Sequence, residues 1–321
     1  MDQTVKKRDV NWITVLWYIH LHALGLYGLV LLFLEAKWLT LFFVIFIVFL
    51  AGLGLTLGAH RLWAHQSYQA SFIVRLFLVL AHTVAGVGSI YDWVLAHRLH
   101  HRYYGTDKDP YNHKKGFIYS HLVSNVLTPR PDQEILAKTI DMRDVDSDGL
   151  IWIQRRLYWP LFVIVGLLLP INAPAEYWDE SIKNSVFILG FARLAITLNL
   201  SWLVNSAMHI WGMNPGDKYP ADDNTVFILH KSYQMNYHYL LPWDSKSGEF
   251  GGYDSGCTTF VLKIWEILGL VSGLKTASSE DVRSVLGKMA TSKMTLQQAL
   301  DEMERLAELE TKKAKLRYHH G

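Results

Sequence analysis

Long apolar runs separated by short charged clusters set the pattern of this chain. Four runs approach the roughly 20 mostly apolar residues that a bilayer crossing needs: about Trp12 to Leu34, Trp38 to Gly58, Leu157 to Ala173 and Val186 to Val204. Only Glu35, Ala36 and Lys37 part the first two, which predicts a tight helical hairpin, and the fourth run holds a single charge, Arg193. A shorter apolar segment, Phe72 to Val87, lies between two histidine clusters. A half-inserted or buried helix is expected there, because a full crossing would put the clusters on opposite sides of a membrane. Lys6, Lys7 and Arg8, the loop from His60 to Arg156 and the stretch after Asn205 are rich in Lys and Arg, whereas the loop at Asp179 and Glu180 is acidic apart from Lys183. The positive-inside rule then predicts four crossings, with both termini and every histidine cluster in the cytosol. The first run is too long for a signal-peptide core and is read as a retained span.

Composition narrows the class further. Half of the 321 residues are hydrophobic and 12 are Trp, too apolar a mixture for a typical soluble domain. A net charge of only +2 gives no polybasic field, so nucleic acid is not expected as a partner. The single cysteine, Cys257, excludes a disulfide framework and Cys-based zinc or iron–sulfur sites. Beyond residue 275 the chain changes character. Thr295-Leu296-Gln297-Gln298 has capping-box spacing, and Leu296, Leu300, Met303 and Leu306 follow at helical intervals. Asp301 with Arg305 and Glu308 with Lys312 are expected ion pairs on the exposed face. Residues 1–275 thus read as a membrane domain and 276–321 as a cytosolic amphipathic helical tail, its final His319 and His320 solvated.

Candidate chemistry sits at the ends of the apolar runs. His60-Arg61-Leu62-Trp63-Ala64-His65 and His97-Arg98-Leu99-His100-His101 are two clusters of imidazoles, the ligand that borderline metals such as Fe(II) and zinc favour. On an ideal helix His97, His100 and His101 lie within roughly 60° of one another, a chelating arrangement. His60 and His65 fall roughly 140° apart, so they are expected to grip one centre only from two sides or across a helix end. Lone histidines such as His82 and His113 are read as interfacial, partly solvated and idle, whereas two clusters facing one compartment point to a metal. Asn205-Ser206-Ala207-Met208-His209, just past the fourth run, is a further ligand candidate, and Met235-Asn236-Tyr237-His238-Tyr239 a third, incomplete cluster.

Taken together, Gly58-Ala59-His60-Arg61-Leu62-Trp63-Ala64-His65, His97-Arg98-Leu99-His100-His101, Thr106-Asp107-Lys108-Asp109-Pro110, Asn205-Ser206-Ala207-Met208-His209, and Asn236-Tyr237-His238 followed by Pro242-Trp243-Asp244 resemble the membrane fatty-acyl-CoA desaturases of the stearoyl-CoA or insect delta-9 type. The resemblance covers roughly residues 10 to 275. It implies an all-α polytopic membrane fold, four transmembrane helices carrying a cytosolic helical cap that holds two iron ions above a kinked acyl tunnel. The family's ligand positions match His60, His65, His97, His100, His101, His209 and His238, with Asn205 at the position that holds iron through water. Trp93 and Ser201 match tunnel-lining positions, and Lys114 and Lys115 stand where basic residues approach the CoA phosphates. The resemblance also implies cytochrome b5 and its NADH reductase as separate electron-donating partners, an acyl-CoA substrate, and an endoplasmic reticulum membrane location.

The departures from the family pattern are concentrated. Its third box is His-Asn-Tyr-His-His, and here the first and last of those histidines are Met235 and Tyr239, so seven of nine ligand positions remain. A thioether is a soft, poor ligand for ferric iron; a phenolate is a better one, and His230 is a nearby imidazole off the family's register. Leu95 and Ala96 replace an Arg-Asp pair expected at the CoA, and Val87 replaces a Gln that helps fix the tunnel's kink. Desaturation removes hydrogen from unactivated methylenes, which no side-chain acid or base can do at neutral pH, so the metal is indispensable. Two readings of different class follow, with a membrane hydroxylase of the same metal logic as a third, close to the first. One is a delta-9-type acyl-CoA desaturase; the other is a non-catalytic or divergent relative that binds acyl lipids in a regulatory role.

Overall fold

Helices dominate the computed structural model, which describes residues 8–206, 234–247, 253–254, 256–292 and 294–318. Four are long and apolar enough to cross a membrane: α1 (Trp12–Leu34), α2 (Trp38–Ala64), and two later helices, Tyr158–Trp178 and Ile182–Ser206. Between α2 and that later pair run α3 (Phe72–Ala85), α4 (Ile90–Tyr103), α5 (Phe117–His121) and α6 (Gly149–Arg156), so the later pair are α7 and α8. Three of the four spans are longer than the sequence predicts. α2 runs on to Ala64 because its last stretch, Gly54–Ala64, is wound as a π-helix; α7 continues through Pro174 to Trp178; α8 begins at Ile182, where Ser181 caps it by accepting from Asn184 N at 3.1 Å. The chain divides into two compact units, one from Met1–Ala59 and Leu76–Ser206, the other from His60–Arg75 and Ala207–Gly321.

In the first unit the acidic loop after α7 locks the α1–α2 hairpin. Glu180 accepts from Lys37 N at 2.8 Å, Thr40 Oγ1 at 2.6 Å and Asn184 Nδ2 at 2.9 Å, while Lys183 pairs with Glu35 at 2.6 Å. Close packing explains Gly28: a Cβ there would lie 2.7 Å from the carbonyl carbon of Phe187 on α8. Leu31, Leu32, Val44, Ile188 and Leu189 form one core of this unit, and Leu21, Tyr158, Phe162 and Leu194 another.

α3 and α4 meet at 85°, and their break exposes backbone that hydrocarbon cannot satisfy. Side chains from α6, α7 and α8 do so instead. Arg193 donates to Val84 O at 2.6 Å, to Leu189 O at 2.9 Å and to Gly166 O. Thr197 donates to Ala85 O at 2.8 Å, Gly88 N donates to Tyr158 Oη at 2.9 Å, and Ile90 N donates to Gln154 Oε1 at 3.1 Å. Gly86 turns the corner at φ +72°, where a side chain would also strike Leu194 and Phe162. Arg193, the one charge in the fourth apolar run, is therefore a backbone clamp, with three carbonyls as partners.

In the second unit, β1 (Gln69–Ala70) pairs antiparallel with β2 (Val271–Ser272), Gln69 opposite Ser272. α9 (Gln234–Leu240), α10 (Cys257–Ile267), α11 (Ser279–Thr291) and α12 (Leu296–Tyr318) complete its described residues. Tyr237, Leu241, Trp243, Val282, Val285 and Met303 share its core, with Leu296, Leu300 and Leu306 packed against them as the periodicity predicts. The capping box forms: Thr295 N donates to Gln298 Oε1 at 2.9 Å and Gln298 N to Thr295 Oγ1 at 3.3 Å. The two expected ion pairs on α12 do not. Arg305 pairs one turn back with Glu302 at 2.8 Å, and Glu308 takes Lys275 at 3.2 Å, because nearer and tertiary partners outcompete the i,i+4 spacing.

Candidate metal centre

The π winding of Gly54–Ala64 brings His60 and His65 together. His65 N donates to His60 O at 3.1 Å, an i→i+5 bond, so residues five apart stack about one turn on instead of diverging as on an α-helix. Their ring centroids are 4.7 Å apart, with His65 one residue past the helix end, so of the two expected arrangements, from two sides or across a helix end, the second is the one seen. His238, on α9, lies 4.8 Å from His60 and 4.9 Å from His65, making a near-equilateral triad. Each of the three offers a ring nitrogen within 4.8 Å of the others, and His60 Nε2 faces His238 Nε2 at 3.2 Å. Such nitrogens can share one proton or turn their lone pairs on a cation.

Buried polar anchors hold the triad's backbone. Arg61 donates to Ser245 O at 3.1 Å and to Thr259 Oγ1 at 3.2 Å. Tyr237, next to His238, donates to Asp244 Oδ2 at 2.6 Å, and Tyr253 donates to the same oxygen at 3.1 Å. Burial, with the Asp244 charge beside them, pushes both phenols far above their ordinary range and keeps them donors. Tyr239 lies beside His238, ring centroids 5.9 Å apart. His209, His230, His319, His320 and the side chain of Met235 lie outside the described residues.

α4 carries the second group, in the first unit. Ser89 caps the helix, accepting from Asp92 N at 3.2 Å, and one face presents His97, His100 and His101, with centroids 4.7 to 6.0 Å apart. The expected shared face is observed. His97 Nδ1 lies 2.9 Å from Asn205 Oδ1, and the Trp93 ring stacks on His97 at 5.0 Å. Trp93 Nε1 donates to Ser201 Oγ at 2.9 Å, so the two expected tunnel residues touch each other, both buried. His100 Nδ1 lies 2.8 Å from Asp109 Oδ1. Asp109 lies within the Thr106–Pro110 motif, and no spacing in the sequence marks it as the partner of His100. Lys114 and Lys115 are exposed, with Lys115 Nζ 4.5 Å over the Tyr119 ring.

His82 departs from its expected interfacial setting. It is fully buried, and neither ring nitrogen has a hydrogen-bond partner among the described residues. An apolar cavity of about 490 Å³ also opens in the first unit, ending at His22, Asn199 and His121. There Asn199 Nδ2 donates to His22 Nε2 at 2.9 Å, and His121 bridges Asn199 Oδ1 at 3.2 Å and Ser206 Oγ at 2.9 Å.

Comparison with known proteins decides the family. A protein of the cricket Acheta domesticus named acyl-CoA Delta-9 desaturase is 39% identical over 274 residues, 84% of this chain and 76% of its own length. This chain belongs to the acyl-CoA desaturase family. Other family members at similar distance are an acyl-CoA Delta-12 desaturase of Tribolium castaneum, 37% identical over 84% of this chain and 76% of its own length, and human stearoyl-CoA desaturase, 35% identical over 85% and 76%. No family model matches the chain. The resemblance read from the histidine boxes is thus correct, as is the multi-pass helical fold with histidine groups able to hold metal. Acyl-CoA desaturases are oxidoreductases, and the relatives span delta-9, delta-11 and delta-12 names, so family membership leaves the double-bond position open.

Proposed function

We propose that this protein is an acyl-CoA desaturase of delta-9 type, which introduces a cis double bond into a saturated acyl-CoA in the endoplasmic reticulum membrane. Both termini and the metal-binding histidines face the cytosol in this reading. The observation that carries it is the convergence of His60, His65 and His238, three imidazoles that packing alone does not require to meet. Their donor set fits a borderline divalent metal, and His97 and His101 on α4 offer the same ligand type. Two iron ions are the assigned metals, held by His60, His65, His97, His100, His101, His209 and His238, with Asn205 acting through water.

Iron supplies what no side chain can, the activation of O2 against unactivated C–H bonds. The chain's own residues bind, orient and exclude water. Trp93, fixed by Ser201 and stacked on His97, is assigned to the wall of the acyl path, and Lys114 and Lys115 to the CoA phosphates as point charges. Each turnover takes two electrons, assigned to a separate cytochrome b5 and its NADH reductase. Met235 and Tyr239 support the second reading, a non-catalytic acyl-lipid-binding relative.

Expression of the full chain in a desaturase-deficient yeast tests the two. The desaturase reading expects unsaturated products, with the bond position given by mass spectrometry, lost on His97→Ala and raised in Met235→His/Tyr239→His. Absence of product from both the natural and the restored chain, with normal membrane insertion, would favour the binding role.

A further inference from the structure

Asp109 is the one acidic side chain among the described residues that touches a histidine of the two clusters. Its Oδ1 lies 2.8 Å from His100 Nδ1, and both side chains are almost wholly enclosed, at 0% and 1% exposure. A carboxylate can only accept, so Nδ1 carries the proton and the in-plane lone pair of His100 sits on Nε2. His97 is fixed in the same sense by Asn205, but its partner is a neutral amide. The two histidines therefore share a tautomer and differ in the charge behind the ring.

The setting of that charge is costly without a cation in front of it. Asp109 Oδ1 also accepts from Tyr111 N at 2.9 Å, while Oδ2 is buried with no partner among the described residues. No Lys or Arg among the described residues pairs with it. The rings of Tyr104 and Tyr111 stand 5.7 and 5.4 Å from His100, edge-on to it. A buried carboxylate facing only these two uncharged N–H groups is poorly compensated. A metal held by the far nitrogen would place positive charge across the ring from this carboxylate, the carboxylate–histidine–metal arrangement that orients a ligand.

We propose that Asp109 is the positioning residue of His100: it sets the tautomer and orientation of that ring so that Nε2 is the metal-binding atom, and strengthens it as a ligand. This rests on the assignment of His100 as an iron ligand. The competing role is local, since the bond from Tyr111 N also shapes the turn from Thr106, where Asp109 N donates to Thr106 O at 3.2 Å.

The test uses the full-length ferrous protein in detergent, with iron retention measured against a chelator and the ⁵⁷Fe Mössbauer spectrum as a second readout. Asp109→Asn keeps an acceptor for both N–H groups and removes the charge; Asp109→Leu removes both. Iron affinity is expected to fall about 10-fold in the first and up to about 100-fold in the second. The quadrupole splitting of one iron should change in Asp109→Asn and not in Asp107→Asn, a control in the same turn whose carboxylate accepts from Asn112 instead. In a His100→Ala background neither Asp109 variant should weaken retention further. Unchanged retention in both Asp109 variants, or an equal further loss in the His100→Ala background, would overturn the positioning role alone. Unchanged retention in His100→Ala itself would overturn the ligand assignment and the proposal with it.

Discussion

Two glycines on α2, two residues apart, should behave in opposite ways when given a side chain. A Cβ at Gly52 would meet nothing within 4 Å, whereas one at Gly54 would lie 2.5 Å from the carbonyl carbon of Ala81, 2.7 Å from His82 Cα and closer still to the His82 amide. The obstacle at Gly54 is backbone, so no rotamer change relieves it, and α3 must recede by about 1 Å to restore ordinary contact. Gly52→Ala is expected to stabilise the helix by up to about 1 kcal/mol through propensity alone. Gly54→Ala is expected to cost about 1–3 kcal/mol as overpacking. The functional loss should exceed the stability loss, because Gly54 opens the π-wound stretch that aligns His60 with His65. A displacement of about 1 Å in a catalytic constellation can cost on the order of 10²-fold. Thermal unfolding of the detergent-solubilised protein, iron content and yeast complementation measure the three effects. Equal behaviour of the two variants in all three would refute the close approach of α2 and α3 as the device that sets the histidines.

The Trp93–Ser201 hydrogen bond should contribute about 1 kcal/mol to stability, read from a double-mutant cycle of Trp93→Phe and Ser201→Ala, and its loss should broaden the positions of the double bond in the products. No coupling, or an unchanged product profile, would remove Trp93 from the acyl path. His121 is held below its ordinary value of 6.5 by burial, so its neutral form contributes stability that is present above that value and lost as pH falls. The thermal midpoint should drop between pH 7 and pH 5, and His121→Gln should flatten that dependence.

What the sequence made legible follows from how local each cause is. Apolar run length and the Lys/Arg asymmetry reveal the spans because hydrocarbon imposes one uniform requirement on every residue inside it. The Thr295–Gln298 box was readable because its two hydrogen bonds close within four residues. The π winding at Gly54–Ala64 was not, since no spacing inside the segment marks it; the close approach of another helix at Gly54, where the winding begins, is likewise a tertiary feature. Arg193 showed only as a stray charge, because its partners are carbonyls of three segments and backbone atoms leave no mark on a sequence. Asp109 belongs to the Thr106–Pro110 motif, yet its contact with His100 depends on the turn that folds the chain back.

The third histidine box poses the sharper question, and the geometry makes it answerable. Its surviving member, His238, completes the triad, so three nitrogen donors remain where the box has lost two. Three protein ligands suffice to hold a metal and leave an open position, which is the arrangement of catalytic sites more often than of structural ones. Tyr239 stands directly beside His238 and carries a phenol in place of an imidazole. If that phenol ligates, its proton must leave, and phenolate bound to ferric iron absorbs visible light through ligand-to-metal charge transfer. The oxidised, iron-loaded protein should then be coloured, Tyr239→Phe should lose the band while keeping the fold, and Tyr239→His should lose the band while keeping or raising iron content. A colourless ferric protein whose iron content is unaffected by Tyr239→Phe would exclude the phenolate, and the centre would then rest on imidazoles alone.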